Sequence, residues 1–177
     1  MVTTLVGRPL VDAVVARALL VASIALAALA LSPGGAPEVD DATARAELTL
    51  LEQVDETRRS EELPPLERDF ALGSAARDYS RSMAKARVLR HSALGELRER
   101  IRGVAPETCV FGENLARHVD IQKVLPDWLE SEEHRRNLLH PDFDRNGIGI
   151  VRGDDGFHYV THLFAGPCGP RASGSGA

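Results

Sequence analysis

The spacing of hydrophobic residues changes once along this 177-residue chain, and that change restricts the folds open to it. Between residues 42 and 139, apolar side chains recur at intervals of three and four, the spacing that lines one face of an α-helix. From Ile148 onward they alternate, on either side of Gly153-Asp154-Asp155-Gly156, as in a β-hairpin. Helices followed by strands predict an α+β domain whose sheet buries at least one face under helices.

Prolines and polar segments divide the helical part into four predicted helices. The first ends at Leu63-Pro64-Pro65, because proline cannot continue a helix. Pro126 lies inside the fourth and indicates a helix start or a kink nearby. A connecting segment at residues 88–95 carries His91, and residues 111–117, FGENLAR, are interpreted as a tight turn. The predicted helices span residues 42–61, 69–87, 96–102 and 120–139.

The N-terminal residues have the pattern of an export signal. Arg8 and Arg17 precede an uninterrupted apolar run at residues 18–31, which is shorter than the about 20 residues of a membrane-spanning helix. Ala28-Leu29-Ala30 then offers a small-x-small cleavage site, although an uncleaved anchor remains the alternative. We therefore expect a secreted, extracellular or cell-envelope protein, with membrane contact only through this segment if it is retained. The predicted parts are residues 1–31 as signal peptide or anchor, 32–41 as linker, 42–168 as the domain and 169–177 as a flexible tail.

Charge and cysteine content narrow the possible partners. The net charge is -5 and no basic block interrupts the sequence, so there is no electrostatic reason to expect nucleic acid. Cys109 and Cys168 are predicted to form a disulfide because export leads to an oxidising compartment, with two unpaired buried thiols as the alternative. A structural zinc site on these two alone is disfavoured, since they lack the close C-x-x-C spacing.

Four histidines and one acid are the candidates for chemistry. His91 lies in a short loop beside a serine, whereas His134 lies in the charged stretch EEHRR, which by itself indicates a solvated surface. Glu113 follows a glycine that permits unusual backbone angles, and it can orient an imidazole, share a metal with one, or only cap a turn. The sequence has no G-x-S-x-G elbow, H-E-x-x-H motif, phosphate loop or dinucleotide fingerprint. The remaining histidines considered are His158 and His162.

Six stretches between residues 50 and 164 occur in an order that points to one family. They are LLEQVDETRRSEELPPLERD, AARDYSRSMA, RHSALGELRERI, FGENLA, WLESEEHRRNLLHPDFDRNGIGI and YVTHLFA. Together they resemble the CAP superfamily, the cysteine-rich secretory, antigen 5 and pathogenesis-related 1 proteins, and more closely its bacterial SCP-like branch. The resemblance implies a three-layer α-β-α sandwich with a central antiparallel sheet, and a surface cavity where two histidines and acidic residues meet.

The resemblance also assigns residues of this chain to that cavity. His91 takes the place of the first cavity histidine, Glu113 that of the glutamate in G-E-N, and His134 that of the second histidine. These three are the expected ligands if zinc or another divalent metal binds. Ser131 stands where many eukaryotic relatives have a second glutamate, and it is included among the expected ligand-binding residues. His162 stands where the family commonly has glutamine, either as an added imidazole near the cavity or as a surface change.

Three functions are compatible with these residues. The favoured one is a binding module whose cavity holds a small molecule, a lipid or a protein, with or without a divalent metal. A hydrolase is the alternative, in which one histidine acts as general base on water and Glu113 tunes it, although the chain has no evident nucleophile. In the third interpretation, the histidines and Glu113 only stabilise the fold.

Overall fold

A computed structural model describes residues 41–169, which form an α+β domain as predicted. The predicted signal peptide or anchor, nearly all of the linker and the end of the tail lie outside the described residues. No helix within residues 41–169 is long and apolar enough to cross a membrane. The elements in chain order are α1 (Asp41–Ser60), β1 (Glu67–Arg68), α2 (Phe70–Ala86), α3 (Leu94–Val104), β2 (Thr108–His118), a 3-10 turn (Ile121–Lys123), α4 (Val124–Glu130), α5 (Glu132–Leu138), β3 (Arg145–Arg152) and β4 (His158–Pro167).

The four strands form one sheet in the order β1-β3-β4-β2. Strands β3 and β4 are the two arms of the predicted hairpin, and the turn between them contains Gly156 at a φ of 82°. Strand β2 pairs with the other side of β4, so the three long strands are antiparallel, as the resemblance implied. The two-residue β1 pairs with β3 in parallel. This order leaves β2 at one edge of the sheet.

Different helices cover the two faces of the sheet, which confirms the α-β-α sandwich. Because side chains alternate along a strand, Ile150 and Phe164 face one core and Leu163 and Ala165 the other. The first core contains residues of α1, α4 and α5 around the buried Trp128. The second contains apolar residues of α2 and α3. Since successive residues of an edge strand face opposite layers, a site at that edge can draw side chains from both.

The predicted helices form with one important correction. The first begins at Asp41, one residue before the predicted start, and the second and third form as α2 and α3. The single helix predicted for residues 120–139 is wrong, because α4 and α5 are separated at Ser131, whose backbone is extended at φ -86° and ψ 120°. Pro126 is not the break. It lies in the first turn of α4, where a missing backbone N–H costs little.

The interpretation of FGENLAR as a tight turn is also wrong. All seven residues belong to β2, and Glu113 pairs with Leu163 in the middle of the ladder. The glycine before Glu113 is required for space, not for an unusual backbone angle. A Cβ on Gly112 would lie 2.9 Å from Cζ of Phe143 and 3.1 Å from Oδ1 of Asn137. This close approach brings α5 against the strand that carries Glu113.

The predicted disulfide between Cys109 and Cys168 is confirmed. Cys109 is the second residue of β2, and Cys168 follows directly after the end of β4. The bond therefore ties the start of the edge strand to the end of its only long neighbour, 59 residues apart in the chain. In a covalently closed loop of this length the unfolded chain loses conformational entropy, which stabilises the folded edge.

Candidate functional site

The candidate site is built around the edge strand β2, where neighbouring residues point to opposite layers. Glu113 pairs with Leu163 and faces the layer of α2 and α3. Asn114 pairs with His162 and faces the layer that contains α5. Directly paired residues of an antiparallel ladder lie on the same side of the sheet, which fixes both directions. Side chains around this edge can therefore come together from the two helical layers.

The carboxylate of Glu113 is buried, with its side chain only 2% exposed, and it accepts four hydrogen bonds. Its Oε1 lies 3.2 Å from Nδ1 of His91 and accepts from the backbone N–H of Ser92 at 3.1 Å. Its Oε2 accepts from Oγ of Ser92 at 2.9 Å and from Arg100 at 3.2 Å. Arg100 also donates to Oγ of Ser92 at 2.7 Å. Both oxygens of the acid are thus engaged, and one of the bonds orients an imidazole.

Arg100 is held in place by an aromatic ring beneath it. It extends from α3, and its guanidinium lies 3.7 Å from the ring centroid of Tyr79 on α2. The hydroxyl of Tyr79 donates to the backbone carbonyl of Arg90 at 2.7 Å. A cation over an aromatic face is stabilised by the ring quadrupole, so Tyr79 fixes both the arginine and the loop that carries His91.

His91 connects the buried acid to the second helical layer. It lies in the loop formed by residues 87–93, which we call the histidine loop, and its side chain is 60% exposed. Its ring stacks on that of His134, with centroids 6.2 Å apart and planes inclined by 28°. With Nδ1 directed at Glu113, Nε2 has no hydrogen-bond partner among residues 41–169. The imidazole therefore presents one nitrogen to whatever approaches the site.

His134 is positioned by a small network of amides. Nδ2 of Asn114 donates to the backbone carbonyl of His134 at 3.0 Å. Nδ2 of Asn137 donates to Oδ1 of Asn114 at 2.8 Å and to the carbonyl of Glu113 at 3.3 Å. At the other end of α5, the helix that carries His134, the buried Arg58 donates to the carbonyl of Leu138 at 2.8 Å. Helix α5 is thus fixed at both ends against the strand.

The surroundings of His134 and the neighbouring His91 lower the pKa of His134. Burial lowers the pKa of His134 below its ordinary value of 6.5, and a charge on His91 lowers it further, while Glu133 opposes both effects. His134 is therefore neutral at pH 7 and has a nitrogen lone pair available. A neutral imidazole can accept a proton or bind a metal, whereas a protonated one cannot.

We expect replacement of His91 by alanine to raise the pKa of His134. The substitution removes a neighbouring charge and opens the ring to water, and both effects favour the protonated form. Proton NMR titration of the histidine Cε1–H signals would measure the change. Replacement of His118, which lies at the far end of β2, should leave the His134 signal in place. A pKa of His134 that falls, or stays constant, in His91→Ala would contradict the contact described above.

The other predicted site residues have different surroundings. Ser131 ends α4, and within the described part of the chain its side chain makes no hydrogen bond. His162 is fully buried in β4, so the surface alternative is wrong for it. Its ring lies 5.7 Å from that of Trp128, which in turn lies 6.4 Å from that of His134. His162 is therefore separated from the two site histidines by Trp128. His158 is the first residue of β4 and pairs with His118 at the far end of the ladder.

Sequence reasoning missed four residues that build the site: Ser92, Arg100, Asn114 and Asn137. Ser92 was noted only as a neighbour of His91, and Arg100 lies in a helix so rich in charge that it resembles a solvated surface. No pattern in the sequence identifies either. For Asn114, a correct strand register would have helped, because it pairs this residue with His162 across the ladder.

A metal fits the imidazoles better than it fits the acid. Among residues 41–169, no group of three or more His, Cys, Asp or Glu side chains is arranged to hold a metal ion. Four donors already use the oxygens of Glu113, which suits an orienting role behind His91. His91 and His134 together offer two nitrogen donors at the surface. Any further positions around an ion would have to be filled by water or by a ligand.

Comparison with known proteins identifies the family. The sequence model of the cysteine-rich secretory protein family, CAP, matches residues 51–164, well over half of the chain. The chain belongs to the CAP family. Its CAP domain contains every element that carries the candidate site, from α2 to β4.

Similar proteins come from several bacteria. The CAP domain is 29% identical over 108 residues to the protein YkwD of Bacillus subtilis, and the match covers 59% of this chain but only 42% of YkwD. The structure of an outer surface protein from Borrelia burgdorferi has a TM-score of 0.66 and 24% identity, covering 71% of this chain and 96% of that one. The structure of an extracellular SCP-domain protein from Bacillus anthracis has a TM-score of 0.63 and 26% identity, and the match covers 74% of this chain and 45% of that one. The Borrelia structure shows the same fold, and the Bacillus anthracis structure supports the bacterial SCP-like branch.

Proposed function

We propose that this CAP domain is an exported binding module whose ligand contacts His91 and His134 at the edge of the sheet. The observation that carries the proposal is the arrangement of Glu113. A carboxylate with a 2% exposed side chain directs a histidine that is itself 60% exposed. Burying a charge requires compensation by hydrogen bonds, and here the compensated acid aims an imidazole outward. Such an arrangement is suited to recognition at the surface.

Export is supported by three observations. The N-terminal sequence has the order of a secretory signal, basic residues followed by a short apolar run and small residues. The two similar solved structures described above are an outer surface protein and an extracellular protein. A disulfide in the CAP domain also suits an oxidising compartment. We therefore propose a location outside the cytoplasm, either free or at the cell envelope.

A divalent metal is included in the proposal as one occupant of the site. His91 and His134 would hold it, and Glu113 would orient His91 through Nδ1. A carboxylate behind a coordinating histidine fixes its tautomer and raises its basicity. When bound, zinc acts as a Lewis acid and lowers the pKa of a coordinated water.

Calorimetric titration of the purified chain with zinc tests this proposal. We expect binding that is lost in His91→Ala and in His134→Ala, because each removes one nitrogen donor. Glu113→Gln should weaken binding by about 10- to 100-fold, the usual effect of removing a partner behind a metal-bound histidine. His118→Ala is the matched control. His118 is the last residue of β2, the strand that carries Glu113, and it lies away from the site.

Thermal unfolding of the same variants separates binding from a structural role. If zinc affinity is unchanged in His91→Ala and His134→Ala, the metal part of the proposal fails. If these variants lose much stability and zinc has no effect on any protein, the residues only stabilise the fold. A modest stability change together with lost zinc binding supports the proposal.

A hydrolase is the second candidate, and the bond between Glu113 and Nδ1 of His91 favours it. A carboxylate in this position stabilises an imidazole that removes a proton from water, the role of a general base. Incubation with peptidoglycan, lipid esters and peptides would detect turnover. Activity that is lost in Glu113→Gln and retained in His118→Ala would establish the enzyme. No turnover on any of these substrates would leave the binding module.

A further inference from the structure

Three exposed aliphatic side chains lie in and beside the histidine loop. Val88 is 51% exposed, Leu89 is 45% exposed, and Leu94, the first residue of α3, is 74% exposed. Within residues 41–169, the other exposed large apolar residues are spread one by one, which is normal for a protein surface. Three within seven residues are different, because exposed apolar groups that lie close together mark a contact surface.

The same stretch is basic although the chain as a whole is acidic. Residues 79–95 contain no Asp or Glu, whereas the chain has 26 acidic and 21 basic residues. Lys85, Arg87 and Arg90 are exposed, and within residues 41–169 none of them forms an ion pair. Most arginines elsewhere in the described domain are paired with an acid. The cations beside Val88 and Leu89 are thus left available for a partner.

We infer that the histidine loop docks the domain on an anionic lipid surface. Val88 and Leu89 would enter the boundary between headgroups and acyl chains, as short apolar segments do at membrane interfaces. Arg87 and Arg90 would remain among the phosphates, because arginine keeps its charged end in the polar layer while its stem contacts apolar groups. This inference is independent of what occupies the site, although His91 lies in the same loop.

Charge complementarity favours lipid over a protein partner. With a net charge of -5, the molecule as a whole is repelled by an anionic surface, which favours an approach with the basic loop towards that surface. Protein interface cores are enriched in aromatic residues, and residues 80–94 include no Phe, Tyr or Trp. Exposed aliphatic side chains in a loop, flanked by arginines, match a membrane surface instead, where an apolar layer lies beneath anionic headgroups.

Tryptophan fluorescence of Leu89→Trp in the full chain tests this inference. The natural Trp128 is 1% exposed in the core and gives a constant background. We expect a blue shift on adding phosphatidylglycerol-containing vesicles and none with pure phosphatidylcholine vesicles. Adding Arg87→Gln and Arg90→Gln should raise the lipid concentration needed for half of the shift by about 25-fold, about fivefold for each arginine.

Val119→Trp is the matched control, because Val119 is an exposed aliphatic residue that follows β2, outside the histidine loop. An equal shift in Val119→Trp, or no shift in Leu89→Trp with anionic vesicles, overturns the inference. A shift of Leu89→Trp that needs no lipid and grows with protein concentration would also overturn it, by identifying a second copy of the chain as the partner.

Discussion

Replacing His162 by glutamine is expected to reduce, by about 2 kcal/mol, the loss of unfolding free energy that the domain undergoes when the pH falls from 6.5 to 4.5. His162 is fully buried, and burial together with the nearby charge of Arg58 lowers its pKa to about 3. The unfolded chain has an ordinary histidine with a pKa of about 6.5. The first pH unit below 6.5 lowers the unfolding free energy by about 1 kcal/mol, because the unfolded histidine is only half protonated at pH 6.5, and the next unit lowers it by nearly the full slope of about 1.4 kcal/mol.

The surroundings of His162 explain why it resists protonation. Its ring packs 3.8 Å from the centroid of Phe164 and 5.7 Å from that of Trp128. Nε2 lies 2.9 Å from Oδ1 of Asn146, whose amide nitrogen donates to the carbonyl of Glu67. The proton therefore belongs on Nε2. Nδ1 is buried with no partner among the described residues, so a second proton there would be a charge without compensation.

The sign of the effect follows from proton uptake. Below pH 6.5 the unfolded state binds a proton at this histidine and the folded state does not, so acid favours unfolding. The loss grows as pH falls and reaches its limit near pH 3, where the folded state also binds the proton. Glutamine does not titrate and can still donate to Asn146, so its contribution is constant with pH.

Urea denaturation of both proteins between pH 8 and pH 4.5 would measure this effect. The difference between the two unfolding free energies isolates His162, because the other titrating groups are common to both chains. At pH 8, where His162 is neutral in both the folded and the unfolded state, the difference in unfolding free energy reports only how well each side chain packs in the core. If it stays the same down to pH 4.5, the folded protein binds the proton as easily as the unfolded chain, and the assignment is wrong.

The sequence predicted the first three helices, the hairpin and the disulfide, but it failed at β2. Gly112, Glu113 and Asn114 are all poor strand formers, and together they favour a turn. Tertiary contacts override that preference: the ladder to β4 holds the backbone, and the four donors hold Glu113. A strand stabilised by its neighbours cannot be recognised from its own residues.

The break at Ser131 shows a second limit of sequence analysis. The apolar residues on both sides continue the spacing of one helix, so periodicity predicts no interruption. The extended backbone at Ser131 instead separates α4, which places Trp128 in the core, from α5, which places His134 beside His91. Because the two short helices have separate directions, one can place Trp128 in the core while the other places His134 beside His91. The position of Arg100 was unpredictable for a similar reason, since only the fold brings α3 to Glu113.

Replacing Gly149 by alanine is expected to cost about 3 kcal/mol or more of stability, near the upper end for overpacking in a core. A Cβ at this position of β3 would lie 2.0 Å from the backbone nitrogen of Arg77 and 2.3 Å from its Cα. Backbone atoms cannot turn aside as side chains do. Strand β3 is paired with β4 along its whole length, including Gly149 with Thr161, so helix α2 would have to move away as a unit.

Gly73→Ala provides a matched control in the same contact between α2 and β3. Its new methyl group would lie 3.6 Å from the nearest atom, the carbonyl oxygen of Ile148, which is an ordinary contact. Alanine is also favoured over glycine inside a helix by about 0.5 to 1 kcal/mol. The two substitutions make the same chemical change across one interface, yet guanidinium denaturation should show opposite signs. Equal effects would mean that α2 is free to shift.

The same pair of variants connects the interface to the candidate site. Arg77 lies two residues before Tyr79, whose ring supports Arg100 and whose hydroxyl holds the histidine loop. Moving α2 away from β3 would displace that ring, and Arg100 would then no longer be aligned with Glu113. We therefore expect Gly149→Ala that remains folded to weaken zinc binding, and Gly73→Ala to leave it unchanged. Unchanged binding in a destabilised Gly149→Ala would show that β2 alone fixes Glu113 and His91.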